Sequence, residues 1–226
     1  MDDVRGATAH HVRAADGRLP GKRGRATRQR LLAETRALLA DVAFHDLKVV
    51  DISRAAGTSP ATFYQYFADV DAAVLSLIED MVSSGSDELR SLVTDPDWGS
   101  GDAATALADG FLSFFDANAA LLRVIDLATI EGDERFRDLR IRLLNGVFLA
   151  LRDLAGRAAA AGRLAAGVSP GAAAGILTPM LAHVSAHQSG FASWGVERDE
   201  LAETMATLLG WTVGATLRPS SSARPG

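Results

Sequence analysis

The side chains best suited to recognition chemistry sit together in one stretch, SPATFYQYFADVD, residues 59–71. Thr62, Tyr64, Gln65 and Tyr66 supply hydroxyls and an amide, and Phe63 and Phe67 alternate with them. Both tyrosines of the chain fall here, in a sequence that is only 6% aromatic. Tyrosine and threonine hydroxyls donate hydrogen bonds to phosphate oxygens, and a glutamine amide pairs with a base edge in a DNA major groove. Ala61 and Thr62 add methyl groups that suit a thymine methyl. A helix starting at Ser59–Thr62 would add backbone amides that attract an anion. The same tyrosines would also serve to pack against a neighbouring domain, so these residues alone leave two readings open.

Covalent and metal chemistry find less support. His183 and His187 stand four apart, a spacing that can chelate zinc. Val184, Ser185 and Ala186 lie between them, so the glutamate of a metalloprotease helix is missing. A polar position in a helix–helix interface is the other reading of this pair. The absence of cysteine excludes disulfides, thiolate metal sites and a thiol nucleophile. There is no GxSxG elbow and no glycine-rich phosphate loop. The five histidines (His10, His11, His45, His183 and His187) form no acid–base set by spacing. A small helical enzyme is therefore disfavoured, and neither cofactor nor metal is expected. A protein-interaction module whose basic arm binds an acidic partner is the third reading.

The elements that must hold the aromatic stretch are helical. Phe63 and Phe67 are four apart and share a helix face, which turns Thr62, Gln65 and the tyrosines outward. Ser59 suits the cap of that helix and Pro60 its first position. A short helix at about 50–56, burying Ile52, Ala55 and Val49, precedes it and stops at Gly57. Two short helices around such a turn form a helix-turn-helix. Upstream, Leu31, Leu32, Thr35, Leu38, Leu39 and Val42 draw one apolar stripe, which predicts a first helix over 27–42. Downstream, Asp69 caps a long helix with Asp71 in its first turn. After a loop at 94–101, helices are predicted at about 102–117, 119–130, 133–162, 169–193 and 197–217. Ser169-Pro170 repeats the cap-then-proline pattern, and Pro179 should kink its helix. Almost nothing reads as strand, so the fold class is all-α. Residues 1–20 and 218–226 are expected to be disordered by composition.

Charge divides the chain. Residues 1–70 hold 11 Lys+Arg against 8 Asp+Glu, whereas residues 71–226 hold 12 against 20. Lys22, Arg23, Arg25, Arg28, Arg30 and Arg36 crowd one stretch, opposed only by Glu34. Such a run is either a solvated face or the part that meets a polyanion. The N-terminal stretch has no signal-peptide core, and no apolar run reaches the roughly 18–20 residues needed to cross a bilayer. A cytoplasmic protein without membrane contact is the expectation.

The run VVDISRAAGTSPATFYQYFADVDAAVL resembles the DNA-binding signature of the tetracycline-repressor (TetR) family of bacterial transcriptional regulators. Asp51-Ile52, Ala55-Ala56-Gly57, Ser59, Thr62-Phe63-Tyr64, Tyr66-Phe67 and Asp71 carry the likeness, which extends over about residues 25–78. It implies an N-terminal three-helix helix-turn-helix DNA-binding domain (21–68) joined to a larger helical ligand-binding and dimerisation domain (69–217). It also implies a homodimer that binds double-stranded operator DNA as a repressor and is released by a small-molecule effector. By position, Pro60, Ala61, Thr62 and Gln65 would face bases while Tyr64 and Tyr66 hold phosphates. Ser59 would present the helix N-terminus, and an arm around Lys22, Arg23, Arg25 and Arg28 would add backbone or minor-groove contacts.

Three positions depart from the pattern. Val70 stands where a phosphate-contacting lysine is common, and Ala43 replaces a glycine at the end of the first helix. That alanine would cost about 1 kcal/mol if the backbone there is left-handed. Lys48 replaces a capping threonine before the second helix, with a phosphate contact as compensation.

In the acidic part, large apolar side chains are numerous enough for a cavity as well as a core. Trp98, Phe111, Phe114, Phe115, Leu122 and Ile125 are candidates to line it, as are Phe136, Phe148, Met180, Phe191 and Trp194. Asn145 and Gln188 are polar residues on apolar helices that would orient a ligand, or else lie at a surface. This balance points to an apolar or weakly polar effector. By the resemblance, the last two long helices make the dimer, with Ala172, Ala173, Ala174 and Gly175 suited to close packing against Leu208, Leu209, Trp211 and Val213.

Overall fold

The computed structural model describes residues 21–98, 102–164 and 166–213. The expected disordered ends, 1–20 and 218–226, lie outside the described residues. Every regular element among the described residues is helical, and the chain divides into two compact units, 1–77 and 78–226. The boundary falls inside a long helix rather than after residue 68.

The first unit opens with α1, Lys22–Asp41. It begins five residues earlier than the apolar stripe indicates, capped only by the Gly21 carbonyl, which accepts from the Arg25 amide at 3.0 Å. Its buried face is Arg28, Leu31, Leu32, Thr35 and Leu39. The Thr35 hydroxyl donates to the Leu31 carbonyl at 2.8 Å, so this buried polar group is satisfied within the helix. Ala43 has φ −61°, so no left-handed residue is required there and the expected penalty does not arise.

After a 3₁₀ turn at Phe44–Asp46, α2 covers Val49–Ala55. It ends with Gly57 at φ +63°. The Thr58 amide donates to the Ser53 carbonyl at 2.9 Å and the Gly57 amide to the Arg54 carbonyl at 3.1 Å, the paired bonds of a Schellman stop. Ile52, Ser53 and Ala56 turn inward, whereas Ala55, expected in the core, is exposed because Ile52 and Ala56 are the pair four apart that shares the inner face. The next helix, α3, is Pro60–Tyr64. Ser59 Oγ accepts from the Thr62 amide at 3.2 Å. Just past Tyr64 the bonding tightens to i→i−3, from Gln65 to Thr62 and from Tyr66 to Phe63, with the Phe63 carbonyl also accepting from the Phe67 amide, so the helix is shorter than the aromatic run. Then α4, Val70–Thr94, starts with Asp69 accepting from the Ala72 amide at 2.7 Å.

The second unit contains the rest of α4 with α5 (Ala103–Ala117), α6 (Ala119–Ile130), α7 (Glu134–Ala160), α8 (Pro170–Ala186), α9 (Gln188–Phe191) and α10 (Arg198–Val213). Helix α8 packs along α7 and α5, α10 packs on α5, and α6 packs on α7. Ser169 caps α8 by accepting from the Ala172 amide at 3.2 Å, and Pro179 sits inside a helix that continues to Ala186. The single helix expected over 169–193 instead breaks at His187, whose φ of −113° leaves the helical region. It resumes as α9 and a 3₁₀ turn, Ala192–Trp194.

A glycine marks one close approach of helices inside this unit. A Cβ placed on Gly85 of α4 would collide with the ring of Phe114 and approach Leu143 to 3.3 Å. Phe114 is buried, so its ring would have to move within the packed core. By contrast, nothing lies within 4 Å of a Cβ placed on Gly156 of α7. Gly85→Ala is therefore expected to destabilise the protein by about 1–3 kcal/mol through overpacking. Gly156→Ala should stabilise it by up to about 1 kcal/mol through helix propensity. Midpoints of urea denaturation check both signs.

Candidate nucleic-acid interface and ligand cavity

The interface candidate begins with what lies beneath it. Phe63 is fully buried and Phe67 nearly so, with their ring centroids 5.5 Å apart. That anchorage leaves the other side of α3 open. Ser59, Pro60, Ala61 and Gln65 are exposed, and Tyr64 is 53% exposed with its ring edge-on to Phe63 at 5.8 Å. Thr62 and Tyr66 are half-buried. The Thr62 hydroxyl is shared with Ser59 Oγ at 3.0 Å, which fixes its position at the helix start. Such a face offers a phenol and an amide beside a capped helix start, and none of its exposed residues is charged.

The basic residues divide. Lys22, Arg23 and Arg25 are exposed, but they belong to α1 and not to an arm preceding it. Lys48 is exposed at the start of α2 and makes no side-chain cap there. Arg28 requires a correction. It is only 8% exposed, donates from Nη2 to Ser76 Oγ at 2.6 Å, and lies 5.1 Å from the centroid of the Phe67 ring. Its guanidinium is thus an internal tie between α1, the aromatic pair and the start of α4, and it is withdrawn from any outer contact. Val70, the first residue of α4, is half-buried and brings no cation to that position.

The apolar candidates do not converge on one cavity. Phe115 and Ile125, with Leu122, line a void of about 20 Å³ that Leu143, Leu144 and Ala182 close and that Asp126, Arg140 and His183 rim. Arg140 and Asp126 form an ion pair there at 3.2 Å. A void of this size holds roughly one water molecule. Phe111, Phe114 and Phe136 are packed into the core instead, Phe111 stacking on Phe115 at 6.0 Å. Met180, Phe148 and Phe191 are half-buried, and Asn145 is exposed because it lies on the outer side of α7. Trp194 is 78% exposed, its ring edge-on to Phe191 at 5.5 Å. Trp98 borders a separate groove.

Gln188 also has a structural task. Its Nε2 donates to the carbonyls of Leu112 at 3.0 Å and Ser185 at 3.1 Å, and its Oε1 accepts from Arg198, which also donates to Ser113 Oγ. That network joins α5 to the ends of α8 and α10 and engages both ends of the Gln188 amide. The rings of His183 and His187 lie 4.2 Å apart, with no third ligating side chain beside them among the described residues.

Comparison with known proteins agrees with this layout. Residues 31–72 match the family described as bacterial regulatory proteins, tetR family, and residues 89–220 match the tetracyclin repressor-like C-terminal domain. The HTH-type transcriptional regulator EthR of Mycobacterium tuberculosis is 35% identical over 66 residues, 29% of this chain and 31% of that protein. Its counterpart in Mycolicibacterium smegmatis is 34% identical over 94 residues, 39% of this chain and 43% of that one. The matched part therefore spans well under half the length of these curated relatives. Among solved structures, the fatty acid degradation regulator FadR from Bacillus halodurans superposes with a TM-score of 0.63 at 18% identity, covering 85% of this chain and 96% of that one. FadR from Bacillus subtilis in complex with stearoyl-CoA gives 0.62 at 14%, covering 83% and 99%. At these identities the likeness is one of fold.

The tie made by Arg28 generates a contrast with its exposed neighbour. Arg28→Met should lower stability by about 1.5–3 kcal/mol through loss of a charged hydrogen bond. Arg23→Ala should leave stability unchanged. Thermal and urea unfolding of the two variants check this.

Proposed function

The chain belongs to the tetR family of bacterial regulatory proteins, and on that footing we propose that it is a cytoplasmic, sequence-specific DNA-binding regulator and not an enzyme. In this reading it acts as a homodimeric repressor that leaves its double-stranded operator when a small, apolar effector binds. The observation that carries the reading is the α3 face: Tyr64, Gln65, Pro60 and Ala61 exposed over a buried Phe63. Tyr64 and Tyr66 hold phosphates, Gln65 reads a base edge, and Lys22, Arg23, Arg25 and Lys48 supply positive charge to the backbone contacts.

Dimerisation is supported by apolar surface on the last long helices. Ile176 of α8 and Trp211 of α10 are each 68% exposed, and Leu208 is 40% exposed. A two-fold pair of such chains would set its reading helices about 34–36 Å apart or a multiple of that. The effector reading rests on the apolar void between α5, α6, α7 and α8, which a ligand would have to widen. A structural neighbour solved in complex with stearoyl-CoA, a ligand with a long apolar chain, is in keeping with it. No helix among the described residues is long and apolar enough to cross a membrane.

Selection of bound duplexes from a random pool supplies the operator for the tests. Tyr64→Phe should weaken operator binding about tenfold through loss of a hydrogen bond to charged phosphate, while Gln65→Ala should change the selected sequence. Gel shifts in which both variants keep wild-type affinity and preference would refute the assignment. Affinity should also fall steeply with salt, by about 0.9 log unit per log unit of salt for each phosphate contacted. Separately, Ile176→Asp should convert the dimer to a monomer in size-exclusion chromatography with light scattering.

A further inference from the structure

A second concavity lies within the 78–226 unit, where residues 96–98, just past α4, meet the C-terminal ends of α7 and α10. It has a volume of about 350 Å³, inside the range of small-molecule sites of roughly 300–1,000 Å³. It shares no lining residue with the void between α5 and α8. Trp98, Leu154 and Val213 form its apolar side, and Arg157, Arg163 and Asp97 its polar side. Leu154 and Val213 are buried, so the floor is fixed by the core. The Trp98 indole N–H donates to the Val93 carbonyl at 2.9 Å, in the last turn of α4. With its one polar atom engaged, Trp98 offers the groove only aromatic hydrocarbon.

The polar side has a definite sign. Two guanidinium groups face one carboxylate, in a part of the chain where acidic residues outnumber basic ones by 20 to 12. Arg157, in the last turn of α7, is exposed and makes no ion pair or side-chain hydrogen bond among the described residues. A guanidinium beside an apolar wall favours a carboxylate, which it can bind through two parallel hydrogen bonds. A cationic ligand would be repelled, and a neutral one would cover the guanidinium without replacing its lost water contacts. We propose that this groove binds a small organic monoanion, its aromatic or short aliphatic body against Trp98, Leu154 and Val213 and its carboxylate on Arg157.

Titration calorimetry of the full chain with 1-naphthoate and with its neutral analogue 1-naphthalenemethanol tests the site. Saturable binding of 1-naphthoate, clearly tighter than that of the alcohol, is expected. Arg157→Gln should raise the Kd for naphthoate about tenfold, the loss of one charge-assisted contact. Arg157→Lys should recover part of that loss, and Arg140→Gln, at the rim of the other void, should leave the Kd unchanged. Equal affinity for acid and alcohol would overturn the proposal, as would absence of saturable binding at millimolar naphthoate. So would an Arg157→Gln variant with unaltered Kd, or a loss of binding on Arg140→Gln instead.

Discussion

A five-residue helix has no stability of its own in water, because nucleation costs more than so few hydrogen bonds return. That α3 exists, and points one way, depends on the burial of Phe63. A phenylalanine removed from water contributes about 1.5–3 kcal/mol, which is large against so short an element. The Ser59 cap and the Pro60 start shape its entry, and Phe67 extends the buried base past its end. Arg28 then covers Phe67 and bonds to Ser76, so the underside of α3 is held by an aromatic pair, a guanidinium and the beginning of α4 at once. The outer face needs no stabilising role of its own. Its residues are free to be selected for what they touch.

Much of this was legible in the residues because the signals are local. Ser59 before Pro60, Asp69 before Val70 and Ser169 before Pro170 each announce a helix start by side-chain chemistry, and Gly57 announces a stop by its backbone freedom. The early start of α1 was not legible, since KRGRAT contains no large apolar residue to mark the helical period. The burial of Arg28 did carry a signal. Residues 28, 31, 32, 35 and 39 lie on one helical stripe, and Arg28 is simply its charged member. Charge type suggested a surface, whereas position in the period indicated the interior. Long side chains with polar tips can satisfy both.

The helical unit of residues 78–226 was harder to read at the level of sites. Its helices have apolar residues in such abundance that composition cannot separate a wall from a filling. Phe111 and Phe115 stack on each other, yet only Phe115 borders the void. Gln188 illustrates the same limit for polar residues. The carbonyl of Leu112, 76 positions away in the chain, is what decides its role, and no sequence period reports that contact. The Asp126–Arg140 pair is likewise brought together only by the packing of α6 on α7, as is the meeting of Arg157 with Trp98 and Val213 around one groove.

The close meeting of Gly85 and Phe114 has a further consequence, for how this sequence can vary. A glycine in a helix interior is ordinarily replaceable, and a core phenylalanine ordinarily tolerates an aliphatic of similar bulk. Here a side chain at 85 needs a smaller one at 114, because a Cβ at 85 would fall within the space that the ring at 114 occupies. A side chain gained at 85 before volume is lost at 114 carries the overpacking cost, and one gained afterwards does not. What position 85 tolerates is therefore set by the residue at 114, although 28 residues separate them in the chain.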